Sequence, residues 1–191
     1  MSVPVQEPLF DPLELSAVTV DTSLLASVEL HPAVAAWFRE RFPQGPTPAQ
    51  EAAWPPIAAG EHTLVAAPTG SGKTLAGFLM AINRLYLAFA RGEPVTGTRV
   101  VYVSPLKALA VDIAENLERP LAEIGAKARE LGLAAPDLTV GVRTGDTTAS
   151  ERAAMVRSPR TFVVTTPESL YLLVTSQKSR AILRTVETVI V

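Results

Sequence analysis

At 191 residues, 48% apolar and 19% charged, the chain can build one domain with a sizeable core, is too short for two full ones, and is not disordered in composition. Zero cysteines exclude disulfides and thiolate metal sites, two separated histidines do not make a zinc site, and no apolar run is long enough to span a bilayer. The net charge of −2 carries no global nucleic-acid signal, yet residues 143–184 hold seven bases against three acids; a solvated surface or a phosphate-tracking face would each produce that bias.

Residues 1–30 hold five acids and no base and read as an irregular arm, with a short helix near Leu24. No basic segment followed by an apolar core marks a signal peptide, so a cytoplasmic setting is expected. His31-Pro32 opens a helix to about Arg41. Pro43 to Pro46 is a loop, and Thr47-Pro48 starts a second helix, which Pro55-Pro56 should break or bend before Gly60 ends it. From Thr63 onward apolar strand-like runs at 63–67, 99–103, 138–142, 161–165 and 186–191 alternate with helical patterns at 73–91, 105–131, 148–157 and 167–183. Pro120 should kink or split the second of these helices, and Thr148 with Glu151 forms a capping box for the third. The alternation predicts an α/β fold: a parallel sheet with helices on both faces, joined by right-handed crossovers, with ligands at the carboxyl ends of the strands.

Ala67-Pro68-Thr69-Gly70-Ser71-Gly72-Lys73-Thr74 stands between the first strand-like run and a long apolar helix. In that context it reads as a phosphate-binding loop for a nucleoside triphosphate. Gly70 and Gly72 let the backbone curl, so that the N–H groups around Thr69, Ser71 and Gly72 converge on an anion at a helix N-terminus. Lys73 would reach the β- and γ-phosphates, and the Thr74 hydroxyl would hold Mg²⁺. Ala67 replaces the glycine of the strict pattern, and a small residue still permits the turn. Upstream, Gln50 of Pro46-Thr47-Pro48-Ala49-Gln50 either matches the N6 and N7 edge of adenine or is a surface residue of a capped helix.

Five strings then follow in order: PTPAQ, APTGSGKT, SPLKALA (Ser104 to Ala110), RTGD (Arg143 to Asp146) and TTPESL (Thr165 to Leu170). Their order resembles the Q motif and motifs I, Ia, Ic and Ib of superfamily 2 helicases. PLKALAVDI with RTGDT and TTPESLYLL is most similar to the large helicase-related (Lhr) family of ATP-dependent DNA helicases, from about residue 31 to the end. The resemblance implies that 31–191 is the first RecA-like ATP-binding domain, a three-layer P-loop NTPase fold. It implies ATP and Mg²⁺ as cofactors, Lys73 and Thr74 as the catalytic residues within this stretch, and adenine recognition by Gln50. Aromatic support beneath the adenine, or core packing, is expected of Trp37, Phe38 and Phe42.

The same resemblance implies a grip on single-stranded DNA or RNA. Ser104, Thr144 and Thr166 would offer hydroxyls to phosphate, Lys107 and Arg143 would add charge, and Gly145 and the helix start at Pro167-Glu168 would offer amides, beside Pro105. The last strand, ending at Val191, should run into the Asp-Glu motif II. Motif II and the second RecA-like domain would be partners supplied by the remainder of the helicase, and no hydrolysis is expected of 1–191 alone. Two other classes share a phosphate loop: a non-enzymatic nucleotide-binding remnant, and an unrelated P-loop enzyme such as a small kinase. The second leaves SPLKALA and TTPESL unexplained.

Overall fold

The computed structural model describes residues 28–191. Most of the arm expected over residues 1–30, and with it the short helix near Leu24, lies outside the described residues. The chain divides into two compact units, one comprising residues up to Pro94 with Ile124–Pro136, the other Val95–Glu123 with Asp137–Val191.

The first unit is helical. Helices α1 (Pro32–Arg41), α2 (Pro48–Ala58) and α3 (Lys73–Ala90) form it with the last turns of α4 (Lys107–Glu130). Helix α3 is buried almost all round, with Leu79, Ile82, Leu85 and Tyr86 inaccessible to solvent. Phe38 stacks at 4.9 Å on Phe42 and meets Trp54 edge-on at 5.2 Å, so the aromatics of α1 belong to the core. Helix α2 continues through Pro55 and Pro56, where a break or bend was expected, and is not broken there. The two prolines leave the carbonyls of Glu51 and Ala52 without helical donors, and both residues are exposed, so water can satisfy them. Pro120 likewise leaves α4 continuous, the freed carbonyl belonging to exposed Asn116.

The expected strand over 63–67 is not formed. Among the described residues it has no ladder partner, and Leu64 stands 94% exposed. A strand exists only through non-local pairing, which apolar composition cannot supply.

The second unit carries the sheet. Strands β1 (Val100–Val103), β2 (Val140–Arg143), β3 (Phe162–Thr165) and β4 (Thr188–Ile190) are all parallel, in the order β2-β3-β1-β4. Helix α5 (Ala149–Arg157) joins β2 to β3 and begins at the expected Thr148–Glu151 capping box. The helix expected over 167–183 is divided into α6 (Pro167–Thr175), α7 (Gln177–Arg180) and a 3₁₀ turn (Ala181–Thr185). Ser176 adopts an extended conformation there, and its hydroxyl caps α7 by accepting from Ser179 N–H at 3.4 Å. On one sheet face, Ala110 and Ala114 of α4 pack with Val164, Tyr102, Val140 and Val142. Small side chains let the helix approach the strands closely.

A buried polar clasp ties the entry of α1 to α3. His31 N–H donates to Asn83 Oδ1 at 2.7 Å, and Asn83 Nδ2 donates to Glu29 O at 2.8 Å. His31 Nδ1 accepts from Ala33 N–H at 3.3 Å, capping α1, while its ring lies 5.1 Å from that of Tyr86. Only the neutral imidazole can accept in this way, and burial pulls its pKa from 6.5 to about 4. Unfolded His31 therefore binds its proton at a higher pH than folded His31. The clasp's contribution is complete above pH 6.5 and declines as pH falls toward about 4, with a slope of at most about 1.4 kcal/mol per pH unit. Chemical denaturation across this range should show a shallower dependence in His31→Asn, which keeps a capping side chain without the titration. Equal slopes in the two proteins would exclude His31 as the origin.

Candidate nucleotide and nucleic-acid sites

The phosphate loop is built by two left-handed glycines and held by the helix before it. Gly70 (φ +82) and Gly72 (φ +81) turn the chain into α3, whose first turn is closed by Ala76 N–H on Gly72 O at 2.9 Å. Pro68, Thr69 and Gly70 are exposed, as is the Thr74 side chain at the helix start, while Ser71, Gly72 and Lys73 are half-buried. The Lys73 ammonium donates to Pro68 O at 2.7 Å and also to Ala67 O, so the loop's own carbonyls hold the charge.

Gln50 is 3% exposed, which settles against the surface-residue reading. It closes a capping box on α2: its N–H donates to Thr47 Oγ1 at 3.3 Å, and its Oε1 accepts from Thr47 N–H at 3.0 Å. Its Nε2 donates to Gly72 O at 3.3 Å. One amide proton and one lone pair then remain, a donor and an acceptor side by side. Thr47 is the loop residue that sequence reasoning missed, having been assigned only to capping. Its hydroxyl donates to Ser71 O at 2.7 Å while it caps α2. The signal was the hydroxyl three residues before Gln50, but only folding brings it to the loop.

The second constellation lies at the carboxyl edge of the sheet. Register aligns Val103 with Thr165 and Thr165 with Arg143. Ser104, Thr166 and Thr144 therefore follow one another along that edge, as the carboxyl-end rule requires. The edge is cross-tied: Ser104 N–H donates to Thr165 O at 2.7 Å, and Thr165 Oγ1 donates to Arg143 O at 2.7 Å.

Not every predicted donor is free. Ser104 is fully buried and its hydroxyl donates to Leu106 O at 2.8 Å. Thr166 is buried as the cap of α6, accepting from Ser169 N–H at 3.4 Å, and its hydroxyl also bonds Glu168, holding that carboxyl below its usual range after the backbone bond that Glu168 itself accepts. Thr144 is buried. Arg143 is 6% exposed; Nη2 reaches Ser179 Oγ at 3.4 Å and Nη1 has no partner among the described residues. Burial lowers its pKa first, and the nearby Arg152 charge lowers it further. Lys107 is exposed but ion-paired to Asp146. Pro105, Gly145, Pro167 and Glu168 are exposed.

A family model described as DEAD/DEAH box helicase matches residues 47–191. The chain is 56% identical over 155 residues to the "Lhr helicase/ probable uracil glycosylase" of Mycolicibacterium smegmatis, covering 81% of this chain and 10% of that protein. It is 47% identical over 177 residues to the Lhr helicase/uracil glycosylase of Escherichia coli, covering 89% and 11%. The structure of Mycobacterium smegmatis helicase Lhr bound to ssDNA and AMP-PNP matches with a TM-score of 0.76 at 51% identity, over 84% of this chain and 20% of that one. The chain thus spans about a tenth of the length of these two relatives, and its α/β fold is that of RecA-like helicase domains.

The loop geometry generates a contrast between its two glycines. A Cβ at Gly72 would lie 2.5 Å from Gln50 Nε2, whereas one at Gly70 would meet nothing within 4 Å. Both substitutions place alanine in a left-handed conformation, costing about 1–2 kcal/mol. Only Gly72→Ala also displaces Gln50. In a titration with a fluorescent ATP analogue, Gly72→Ala should lose affinity about tenfold more than Gly70→Ala, the equivalent of about 1.4 kcal/mol. Equal losses would show that the Gln50 tie does not shape the loop.

Proposed function

Because the chain belongs to the DEAD/DEAH box helicase family, and within it to the Lhr-type helicases, we propose that it forms the ATP- and nucleic-acid-binding front of an ATP-dependent DNA helicase. The observation that carries this reading is the pairing of a pinned, double-glycine phosphate loop in one unit with a row of motif residues along the carboxyl edge of a parallel sheet in the other.

On ATP binding, Lys73 exchanges the carbonyls of Ala67 and Pro68 for the β- and γ-phosphates, so that one charge-assisted set replaces another. Ser71 N–H rests on Pro68 O at 3.3 Å and would be exchanged in the same way, while the amides of Gly70, Gly72 and Lys73 and the N-terminus of α3 would meet the same anion. Among the described residues no cluster of His, Asp or Glu can hold a metal ion. Mg²⁺ would be held together with the triphosphate, with the exposed Thr74 hydroxyl as the protein's oxygen donor. When bound, the ion would neutralise charge on the triphosphate.

Single-stranded DNA is the nucleic acid we assign to the sheet edge, gripped through its backbone without base reading. Exposed Gly145, Lys107 and the start of α6 at Pro167-Glu168 are the contacting groups, with Thr144, Thr166, Ser104, Pro105 and Arg143 shaping the edge behind them. In the complete protein, ATP turnover would open and close two RecA-like domains and advance one along the strand. We place this activity in the cytoplasm, where both ligands occur; among the described residues no helix is long and apolar enough to cross a membrane.

Nucleotide choice follows from the buried amide. The remaining proton and lone pair of Gln50 match N7 and N6–H of adenine, while guanine presents an acceptor where N6–H should donate. One such mismatch is worth about 1–3 kcal/mol. ATP should therefore displace a bound fluorescent nucleotide at about tenfold lower concentration than GTP. Gln50→Ala should narrow that ratio even though it weakens both. Equal competition by ATP and GTP against the unaltered chain would remove Gln50 from adenine recognition.

A further inference from the structure

The turn after β2 is closed at both ends and anchored from one side. Thr147 N–H donates to Thr144 O at 3.2 Å, and Thr144 N–H donates to Thr147 Oγ1 at 2.9 Å. Neither bond uses the N–H of the two central residues, Gly145 and Asp146. From α5, Arg152 Nε donates to Thr147 O at 2.7 Å and Nη2 to Gly145 O at 3.1 Å. Two prongs of one rigid guanidinium thus hold two carbonyls of one turn. The neighbouring carboxylates do not compete: Asp146 is ion-paired to Lys107, and Glu151 accepts from Thr148 N–H at 2.7 Å and Thr148 Oγ1 at 2.8 Å.

Peptide planarity turns this anchoring into orientation. In a trans peptide the C=O of one residue and the N–H of the next point in opposite directions. Because Gly145 O is held by Arg152, Asp146 N–H must face away from it. Because Thr144 O is held by Thr147 N–H, Gly145 N–H is likewise turned outward from the turn's own bond. Gly145 has no positive φ, and a Cβ there would meet nothing within 4 Å. Neither backbone strain nor packing inside the chain calls for glycine at this position. Open space in front of two outward amides is what a ligand backbone needs for close approach.

We propose that Arg152 is a positioning residue of the nucleic-acid grip: its fork on Gly145 O and Thr147 O aims the amides of Gly145 and Asp146 at a backbone phosphate. This rests on the single-stranded DNA reading of the sheet edge. Arg152 itself does not touch the phosphate, so its effect is geometric and carries no counterion of its own. A lysine keeps the charge but cannot hold two carbonyls in a fixed fork.

The test measures binding of a dye-labelled oligothymidylate to the chain by anisotropy over a series of salt concentrations. Arg152→Lys should bind about tenfold more weakly with an unchanged dependence of log affinity on log salt, since a lost phosphate–cation contact would reduce that slope by about 0.7 on a single strand. Affinity for a fluorescent ATP analogue should not change. Gly145→Ala, for which there is room, should keep the melting temperature, weaken the same oligonucleotide and make the Arg152→Lys loss smaller when the two are combined. Full binding by Arg152→Lys would overturn the proposal, as would a slope reduced by one phosphate's worth, or additive losses in the double variant. A chain that does not bind the oligonucleotide even unaltered would instead defeat the underlying single-strand reading.

Discussion

The carbonyl side of the phosphate loop is spoken for before any nucleotide arrives. Thr47 holds Ser71 O and Gln50 holds Gly72 O, both from the first turn of the preceding helix. A peptide whose carbonyl is fixed in one direction has its neighbouring amide fixed in the other, so these two hydrogen bonds orient the loop's donors. An anion meeting preset donors does not have to order them, and that ordering cost is what weakens binding by floppy glycine turns. Lys73 rests on Ala67 O and Pro68 O, and Ser71 N–H also rests on Pro68 O, at 3.3 Å, so these are the loop donors already engaged. Gln50 is likewise partly committed: Thr47 N–H and Gly72 O use one lone pair and one amide proton, and one of each remains.

The sheet unit repeats the device with different residues. Along its carboxyl edge, carbonyls are consumed by internal donors: Thr165 O by Ser104 N–H, Arg143 O by the Thr165 hydroxyl, Gly145 O and Thr147 O by Arg152. What remains outward is a line of amides, a helix start and Lys107. In the proposed single-strand role, such a surface would meet a repeating phosphate and ignore base identity. Asp146 on Lys107 tempers the positive charge of this edge. Arg143, buried and with one nitrogen unpartnered among the described residues, places a positive charge behind the edge.

Much of this was legible in residues alone, wherever the signal was local. Thr148 and Glu151 announced their capping box, Pro167 opened α6, and the order of the five motifs pointed to the family that the comparisons then showed. Expectations failed where a local rule met a non-local circumstance. Of the break or bend expected at Pro55 and Pro56 and the kink or split expected at Pro120, the break and the split did not occur, because the carbonyls these prolines orphan lie at exposed positions. Ser176 divided an apolar helical pattern because its hydroxyl could start a new cap. Residues 63–67, apolar and β-branched enough to suggest a strand, remain unpaired.

What the sequence by itself determined is the chemistry of single turns: left-handed glycines before a lysine, hydroxyls and prolines at helix starts, and the family these spell out in order. Those features depend on residues within one turn of each other. Only the tertiary structure decided which of the named donors are still available. Ser104 spends its hydroxyl on Leu106 O, Thr166 on its own helix, and Gln50 shares its amide between a cap and a loop 22 positions away. Hydrogen-bond valence is a conserved count for each group, and its allocation is settled by what folding brings within about 3 Å.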